Sequence, residues 1–449
     1  MIVWAEWMDN IQKPLKLEEI MKYTEAVEYM ESLSSYGIVP GLGNIRNLCE
    51  KLGNPQDDLQ FVHIAGTNGK GSVLAYVSTI LKAAGYKVGR YVSPTIFEYR
   101  ERIQINNHSI TKKSLCEYVE RMKGICEELV QEGKPHPTPF EVETAMAFDY
   151  FKEQGCNIVV METGMGGRLD ATNIIENTLV AVLVSISMDH MQFLGKNLTA
   201  IATEKAGIIK KGCHVVTAGQ EQEVLQVIEE KASEFSAPVT VAKEENAKKV
   251  RFGLEKQRFD YGQLKNLEIT LTGKHQITNA VLALEVVQAL QQKGYTVSEK
   301  ALRTGLKETS WPGRFTVLSK KPYFVVDGAH NEDAAKKLAD SIEFYFTNRR
   351  IIYIMGILRD KDYEKIINLT HGYADQILTV ATPNQARTMS AYELATEVAK
   401  VHQNVTAVDS LEEAVEMAYL LAGKEDVIIA FGSLSFTGKL MNILEERKA

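Results

Sequence analysis

The chain reads as an α/β protein of mostly parallel sheets flanked by helices, because short apolar runs of strand length alternate with segments of helical period along most of the sequence. Glycine-rich or polar segments follow those runs, as they do at the carboxyl ends of parallel strands where ligands gather. No internal repeat or low-complexity tract interrupts the alternation. At 449 residues the chain exceeds the roughly 100–200 of one domain, and 45% hydrophobic residues suffice for more than one core.

In the first part the strand candidates are 61–65, 87–91, 158–162, 179–185 and 214–217; the first, FVHIA, is the continuous apolar run of a strand buried on both faces. A second cluster, 323–327, 350–355, 376–381, 405–408 and 427–431, alternates with helical patterns such as 331–344 and 411–422. Between the clusters lie a long helical pattern, 277–293, and a polar stretch ending at Trp311, Pro312, Gly313 and Arg314. Adjacent Pro and Gly break regular structure, so a hinge and a domain boundary fall near residue 310. This gives a domain over 1–310 and a smaller, Rossmann-like α/β domain over 311–449. The charged piece 243–249 reads as solvated surface.

The first strand runs into Gly66, Thr67, Asn68, Gly69, Lys70, Gly71 and Ser72, and then into a helical pattern over 73–84. Strand, glycine-rich turn and helix together form a phosphate cradle, so the first domain is of P-loop type. Backbone N–H groups approach the anion, Lys70 faces the β- and γ-phosphates, and Ser72 offers a hydroxyl to Mg²⁺. Two departures stand out: Gly71 separates Lys70 from the hydroxyl residue, and the first glycine is closer to the lysine than in the common spacing. Further on, Glu162 ends the strand of IVVMETGMGGRLDATN, where a phosphate-bound Mg²⁺ needs a carboxylate. Asp189 and His190 follow another strand, and Lys205 sits in TEKAGIIK. The strand-end carboxylate, the strand-end histidine and the loop serine are expected to converge on one metal-phosphate site.

Net charge of −7 argues against a nucleic-acid partner, since phosphate backbones call for a basic surface. Five cysteines, Cys49, Cys116, Cys126, Cys156 and Cys213, form no CxxC pair and read as packing residues, not as a disulfide framework or zinc site. The start MIVWAEWMDN lacks a basic segment followed by an apolar one, and the longest apolar run, 179–184, falls far short of the roughly 20 residues of a membrane span. A cytoplasmic protein without a membrane partner is expected.

HIAGTNGKGSV, SPTIFEYRERI, ETGMGGRLDATN, DHMQFLG, EKAGI, HQITNA, WPGRF and DGAHN occur in the order found in folylpolyglutamate synthases and bifunctional dihydrofolate synthases of the Mur ligase superfamily. The chain resembles that family from PGLGNIRNLCEKLG near residue 40 to AFGSLSFTGK near the end, and GTNGKGS is the family's form of the phosphate loop. The resemblance implies that residues 66–72 hold ATP phosphates, that Ser72 and Glu162 bind one Mg²⁺, and that Glu162 and His190 share a second. It implies that Lys205 is carbamylated and acts with Lys70 and His190 in catalysis. Asn279 and Arg314 would contact the nucleotide, and Asp327 and His330 would meet its ribose and phosphate. The folate side would include Ser93, Arg102, Gly167 and Asp170, although Arg102 could instead form an exposed ion pair with Glu98 or Glu101. Residues 1–310 would be the ATP-binding Mur ligase-like central domain with the folate site, and 311–449 the glutamate ligase domain.

The implied reaction, carried out by a monomer, joins L-glutamate to the carboxylate of a folate, and also of dihydropteroate, through an acyl phosphate made with ATP. Other readings are a muramyl ligase, a P-loop ATPase or kinase without ligation, and a nucleotide-binding regulator. The first usually carries a further N-terminal domain for its UDP sugar, whereas here the loop arrives at residue 66. A regulator would need no two metal positions.

Overall fold

The computed structural model describes residues 21–37, 41–383 and 387–447; MIVWAEWMDN and Pro40 of the PGLGN motif lie outside them. Strands β1 (Phe61–Ala65), β2 (Val88–Tyr91), β3 (Ile103–Ile105), β4 (His108–Ser109), β5 (Ile158–Glu162), β6 (Thr178–Leu183), β7 (His214–Ala218) and β8 (Val239–Ala242) form one sheet in the order β4-β3-β2-β5-β1-β6-β7-β8. It is parallel except where β3 pairs with β2 and β4. Strands β1, β5 and β7 are buried along their whole length, which is why they read as unbroken apolar runs. From β1 the chain crosses to β2 on one side, and from β5 it returns to β6 on the other. That reversal opens a crevice at the carboxyl end of β1.

The helix Lys70–Ala83 starts at this crevice and is buried from Gly71 to Leu81, between the sheet and the helices His275–Gln292 and Glu299–Glu308. The last of these corrects the reading of 294–310 as polar stretch alone. Ser298 caps it by accepting from the Ala301 N–H at 3.2 Å, and Ala301, Leu302 and Leu306 face inward under a charged outer face. Its Gly305 passes so close to the inner helix that a Cβ there would sit 2.4 Å from Ile80 Cα.

Three antiparallel strands, β9 (Ala247–Arg251), β10 (Gln257–Tyr261) and β11 (Leu264–Ile269), form a small sheet. β9 occupies part of the segment read as solvated surface: its lysines are exposed, and only pairing with β10 makes it a strand. Strands β12 (Thr316–Lys320), β13 (Tyr323–Val326), β14 (Ile351–Met355), β15 (Gln376–Thr379), β16 (Val405–Ala407) and β17 (Val427–Phe431) form the last sheet, ordered β12-β13-β17-β14-β15-β16 and parallel except for β12. β12 was not among the strand candidates, because it is a half-buried edge strand without an apolar run. Residues 311–314 join the two parts, which also touch through Phe252 and Phe344, with ring centroids 5.3 Å apart. Among the described residues no helix is long and apolar enough to cross a membrane.

Candidate active site

The loop after β1 is shaped by close approaches. Gly66 has φ of 148°, and a Cβ there would lie 2.1 Å from Val184 Cγ2, so the turn accepts only glycine. The Thr67 N–H donates to the Ser185 carbonyl at 2.8 Å, and the Thr67 hydroxyl donates to the Ser187 carbonyl at 3.0 Å, tying the loop to the end of β6. Lys70 folds back over the loop: its Nζ donates to the Gly66 carbonyl at 3.1 Å and lies 3.9 Å from Glu162 Oε1. Ser72 is buried and its Oγ accepts from Gln276 Nε2 at 3.3 Å; Gln276 in turn accepts from Asn279 Nδ2 at 3.0 Å. The helix of HQITNA thus reaches the loop through Gln276 as well as Asn279, a contact missed in the sequence.

Parallel register sets Glu162 beside Ile64 at the end of β5, one strand from the loop. Burial pushes its carboxyl above the ordinary range, while the Lys70 and Arg314 cations pull the other way. His190 follows β6 in a left-handed conformation, φ 51°; 40% of its side chain is exposed, and desolvation by the cleft lowers its imidazole to about 4 against the pull of Asp189. Lys205, on the helix Leu198–Ala206, is buried and donates from Nζ to the Gly66 carbonyl at 2.8 Å. Burial, then the Lys70 charge, pulls its amine down to about 7.

The opposite wall comes from the second sheet. Asp327, just past β13, accepts the Phe315 N–H at 2.7 Å and the Ala329 N–H at 2.8 Å, fixing the turn that carries His330. Arg314 lies between Asp327 and Glu162, and burial lowers its guanidinium despite both carboxyls. Arg314 is therefore enclosed in the cleft, where it packs against Gly328: a Cβ there would sit 2.2 Å from its Nη1. Side-chain hydrogen bonds join the walls, among them Asn331 Nδ2 donating to Asp189 Oδ2 at 3.1 Å. Asn68 donates to Asn331 Oδ1 at 3.1 Å and Asp333 Oδ2 at 2.7 Å, and Lys361 Nζ donates to Asp189 Oδ1 at 2.9 Å. Lys361 was not singled out in the sequence; its only signal was its place in a polar loop after a strand.

A cavity of about 590 Å³ between the two sheets is lined by Gly66 to Ser72, Ser93, Glu162, His190, Lys205, Asn279, Arg314, Asp327 and His330. Arg102, Gly167 and Asp170 are not among its lining residues. Arg102 forms neither exposed pair expected of it: its Nε lies 3.1 Å from the buried Glu143 Oε2, while Glu98 pairs with Arg100. Asp170 is used by its own loop, accepting from the Met165 N–H at 2.8 Å and from the Thr172 N–H and hydroxyl at 3.1 and 2.6 Å. Gly167 packs on the lysine helix, where a Cβ would lie 2.7 Å from the Glu204 carbonyl. Both residues shape the loop 163–173.

The donor set suits a metal that arrives with phosphate. Among the described residues no group of three or more His, Cys, Asp or Glu side chains could hold a metal alone. Mg²⁺, however, is commonly held by one or two protein oxygens with the remaining positions filled by phosphate and water. Ser72 and Glu162 supply that much.

Residues 64–287 match the Mur ligase middle domain, and residues 313–434 match the Mur ligase glutamate ligase domain. The dihydrofolate synthase/folylpolyglutamate synthase of Bacillus subtilis is 34% identical over 435 residues, covering 94% of this chain and 99% of that one. The chain belongs to this family of the Mur ligase superfamily. Solved members share its fold. Folylpolyglutamate synthase of Mycobacterium tuberculosis, complexed with ADP and AMPPCP, superposes with a TM-score of 0.86 at 29% identity, covering 94% of this chain and 99% of that one. The E. coli enzyme in complex with DHPP and ADP gives 0.83 at 28% identity, covering 95% and 100%.

Proposed function

We propose that this protein is an ATP-dependent ligase that joins L-glutamate to the carboxylate of a folate, with dihydropteroate as a further acceptor. The observation that carries the reading is one cavity that gathers the glycine-rich loop, a strand-end carboxylate, a histidine and a buried lysine on one wall, and Arg314, Asp327 and His330 on the other. The family relatives named as folylpolyglutamate and dihydrofolate synthases support the substrate class. Residues up to about 310 form the nucleotide-binding half and the remainder the second half.

An amide cannot form directly from a carboxylate, so a leaving group is required. The substrate carboxylate oxygen attacks the γ-phosphorus of ATP, the bond to the β-γ bridging oxygen breaks, and ADP leaves. The amine of glutamate then attacks the acyl carbon, loses a proton and expels inorganic phosphate carrying one former carboxylate oxygen. The loop N–H groups and Lys70 hold the phosphates, and Arg314 brings a second cation from the opposite wall, offsetting the repulsion between carboxylate and triphosphate. Ser72 with Glu162, and Glu162 with His190, would hold Mg²⁺, which supplies further charge neutralisation when bound. Lys205, with an amine near 7, has a neutral fraction able to attack CO₂, and its carbamate would replace a cation with an anion beside the metal site. Enclosure between two sheets keeps water from the acyl phosphate.

The test uses pteridine substrate labelled with ¹⁸O in its carboxylate. One ¹⁸O per turnover is expected in the released phosphate. Unlabelled phosphate with full amide formation would exclude the acyl phosphate.

A further inference from the structure

We infer that Arg90 is a positioning residue for nucleotide binding, holding Trp311 of the interdomain linker against Gly71 of the phosphate loop. The inference rests on reading residues 66–72 as the nucleotide site. Arg90 lies on β2 with 4% of its surface exposed. All four of its side-chain hydrogen bonds end on neutral acceptors: Nε donates to Ser78 Oγ at 3.0 Å, Nη2 to Ser78 Oγ at 2.6 Å and Thr79 Oγ1 at 3.4 Å, and Nη1 to Gln104 Oε1 at 3.3 Å. Among the described residues burial alone drives its guanidinium down, with no neighbouring charge acting on it.

A buried cation without a counter-charge is costly, and an apolar side chain would fill the same space without that cost. What the charge adds is attraction to an aromatic face. The Arg90 guanidinium carbon lies 5.7 Å from the centroid of the Trp311 ring, and such contacts strengthen when desolvated. The indole in turn rests on the first turn of the helix Lys70–Ala83. A Cβ on Gly71 would fall 2.6 Å from Trp311 Nε1 and 2.8 Å from Cε2, so the loop and the linker meet at van der Waals contact only because residue 71 has no side chain. Three residues beyond Trp311 stands Arg314, enclosed between Glu162 and Asp327. Arg90 therefore registers the loop that binds phosphate and the linker that delivers Arg314 against one strand.

Trp311 makes the inference directly testable. The chain has three tryptophans, Trp4, Trp7 and Trp311, so replacing the first two with Phe leaves Trp311 as the sole reporter. In that full-length protein, ADP with Mg²⁺ is expected to change Trp311 emission. Arg90→Met should abolish the change and weaken ADP binding about 30-fold, the factor that corresponds to a desolvated cation–π contact. Trp311→Leu in the otherwise native chain removes the same contact from its other side. It should raise the KM for ATP by a similar factor with a smaller effect on kcat, and the double variant should be no worse than either single one. Unchanged ADP affinity and KM in both variants, even with a lowered Tm, would show a merely structural role and overturn the inference, as would effects that multiply in the double variant. If the parent protein binds ADP while the variants bind it equally well, only the coupling fails; if the parent does not bind ADP, the nucleotide reading fails with it.

Discussion

Lys361→Met should loosen the contact between the two halves of the protein. The pair it breaks joins two sheets: Lys361 Nζ lies 2.9 Å from Asp189 Oδ1, with 9% and 11% of the two side chains exposed. Burial pushes the Asp189 carboxyl up, but the Lys361 ammonium, helped by His190, overrides it and holds the group well below the usual carboxylate range. Removing one member of a buried pair costs about 3–5 kcal/mol, mostly from the charge left behind. Asn331 Nδ2 still donates to Asp189 Oδ2 at 3.1 Å, so the expected loss is nearer ~2–3 kcal/mol. Asp189→Asn should cost a similar amount by stranding the ammonium. The double variant should fall short of the sum by about 2 kcal/mol. Urea titrations at pH 7 give these energies, and hydrogen exchange in 184–190 and 355–362 should accelerate in both single variants. A carboxyl held low contributes stability above its unfolded pKa of about 3.9 and loses it as the pH falls through the lower folded value, so the gap between wild type and Lys361→Met should close only in acid. Additive single effects, with coupling under about 0.5 kcal/mol, would refute the buried cross-sheet pair.

Three further outcomes follow from the site. Glu162→Ala and His190→Ala should each abolish ligation while leaving cooperative unfolding intact; near-normal activity of both at saturating Mg²⁺ would remove them as metal ligands. Arg314→Ala should cut kcat/KM by at least about 100-fold, as loss of a cation aimed at transferring phosphate does, and should also lower Tm because Asp327 and Glu162 lose a buried counter-charge; unchanged ATP turnover would contradict its place in the cleft. Lys205→Ala should be nearly inactive and partly rescued by acetate or formate, and ¹³C NMR after ¹³CO₂ exchange should show a carbamate; an unmodified amine in fully active enzyme would exclude that modification.

Much of the first sheet was legible because fully buried parallel strands announce themselves as apolar runs, and because the loop after β1 combines strand, glycines, lysine and helix in one continuous stretch. The exposed strands were not. The sequence AKKVR of β9 becomes a strand through its partner, and tertiary pairing leaves no mark on a charged pentapeptide. The same divide runs through the site. Glu162, His190 and Lys205 were visible from their places after strands or in family motifs, whereas Lys361 and Arg90 act through residues 172 and 221 positions away in the chain. Asp170 shows the converse. Its motif pointed to a ligand contact, and nothing in the sequence signalled that its oxygens also hold the backbone and hydroxyl of its own loop.

The most direct test of the account is ADP release measured with purified protein, Mg²⁺ and ATP, offering dihydropteroate and tetrahydrofolate in parallel, each with and without L-glutamate. ADP is expected to form only when a pteridine carboxylate and L-glutamate are both present, with one glutamate incorporated per ADP. ADP formed at the same rate without glutamate would contradict the ligase and identify an ATPase or kinase instead.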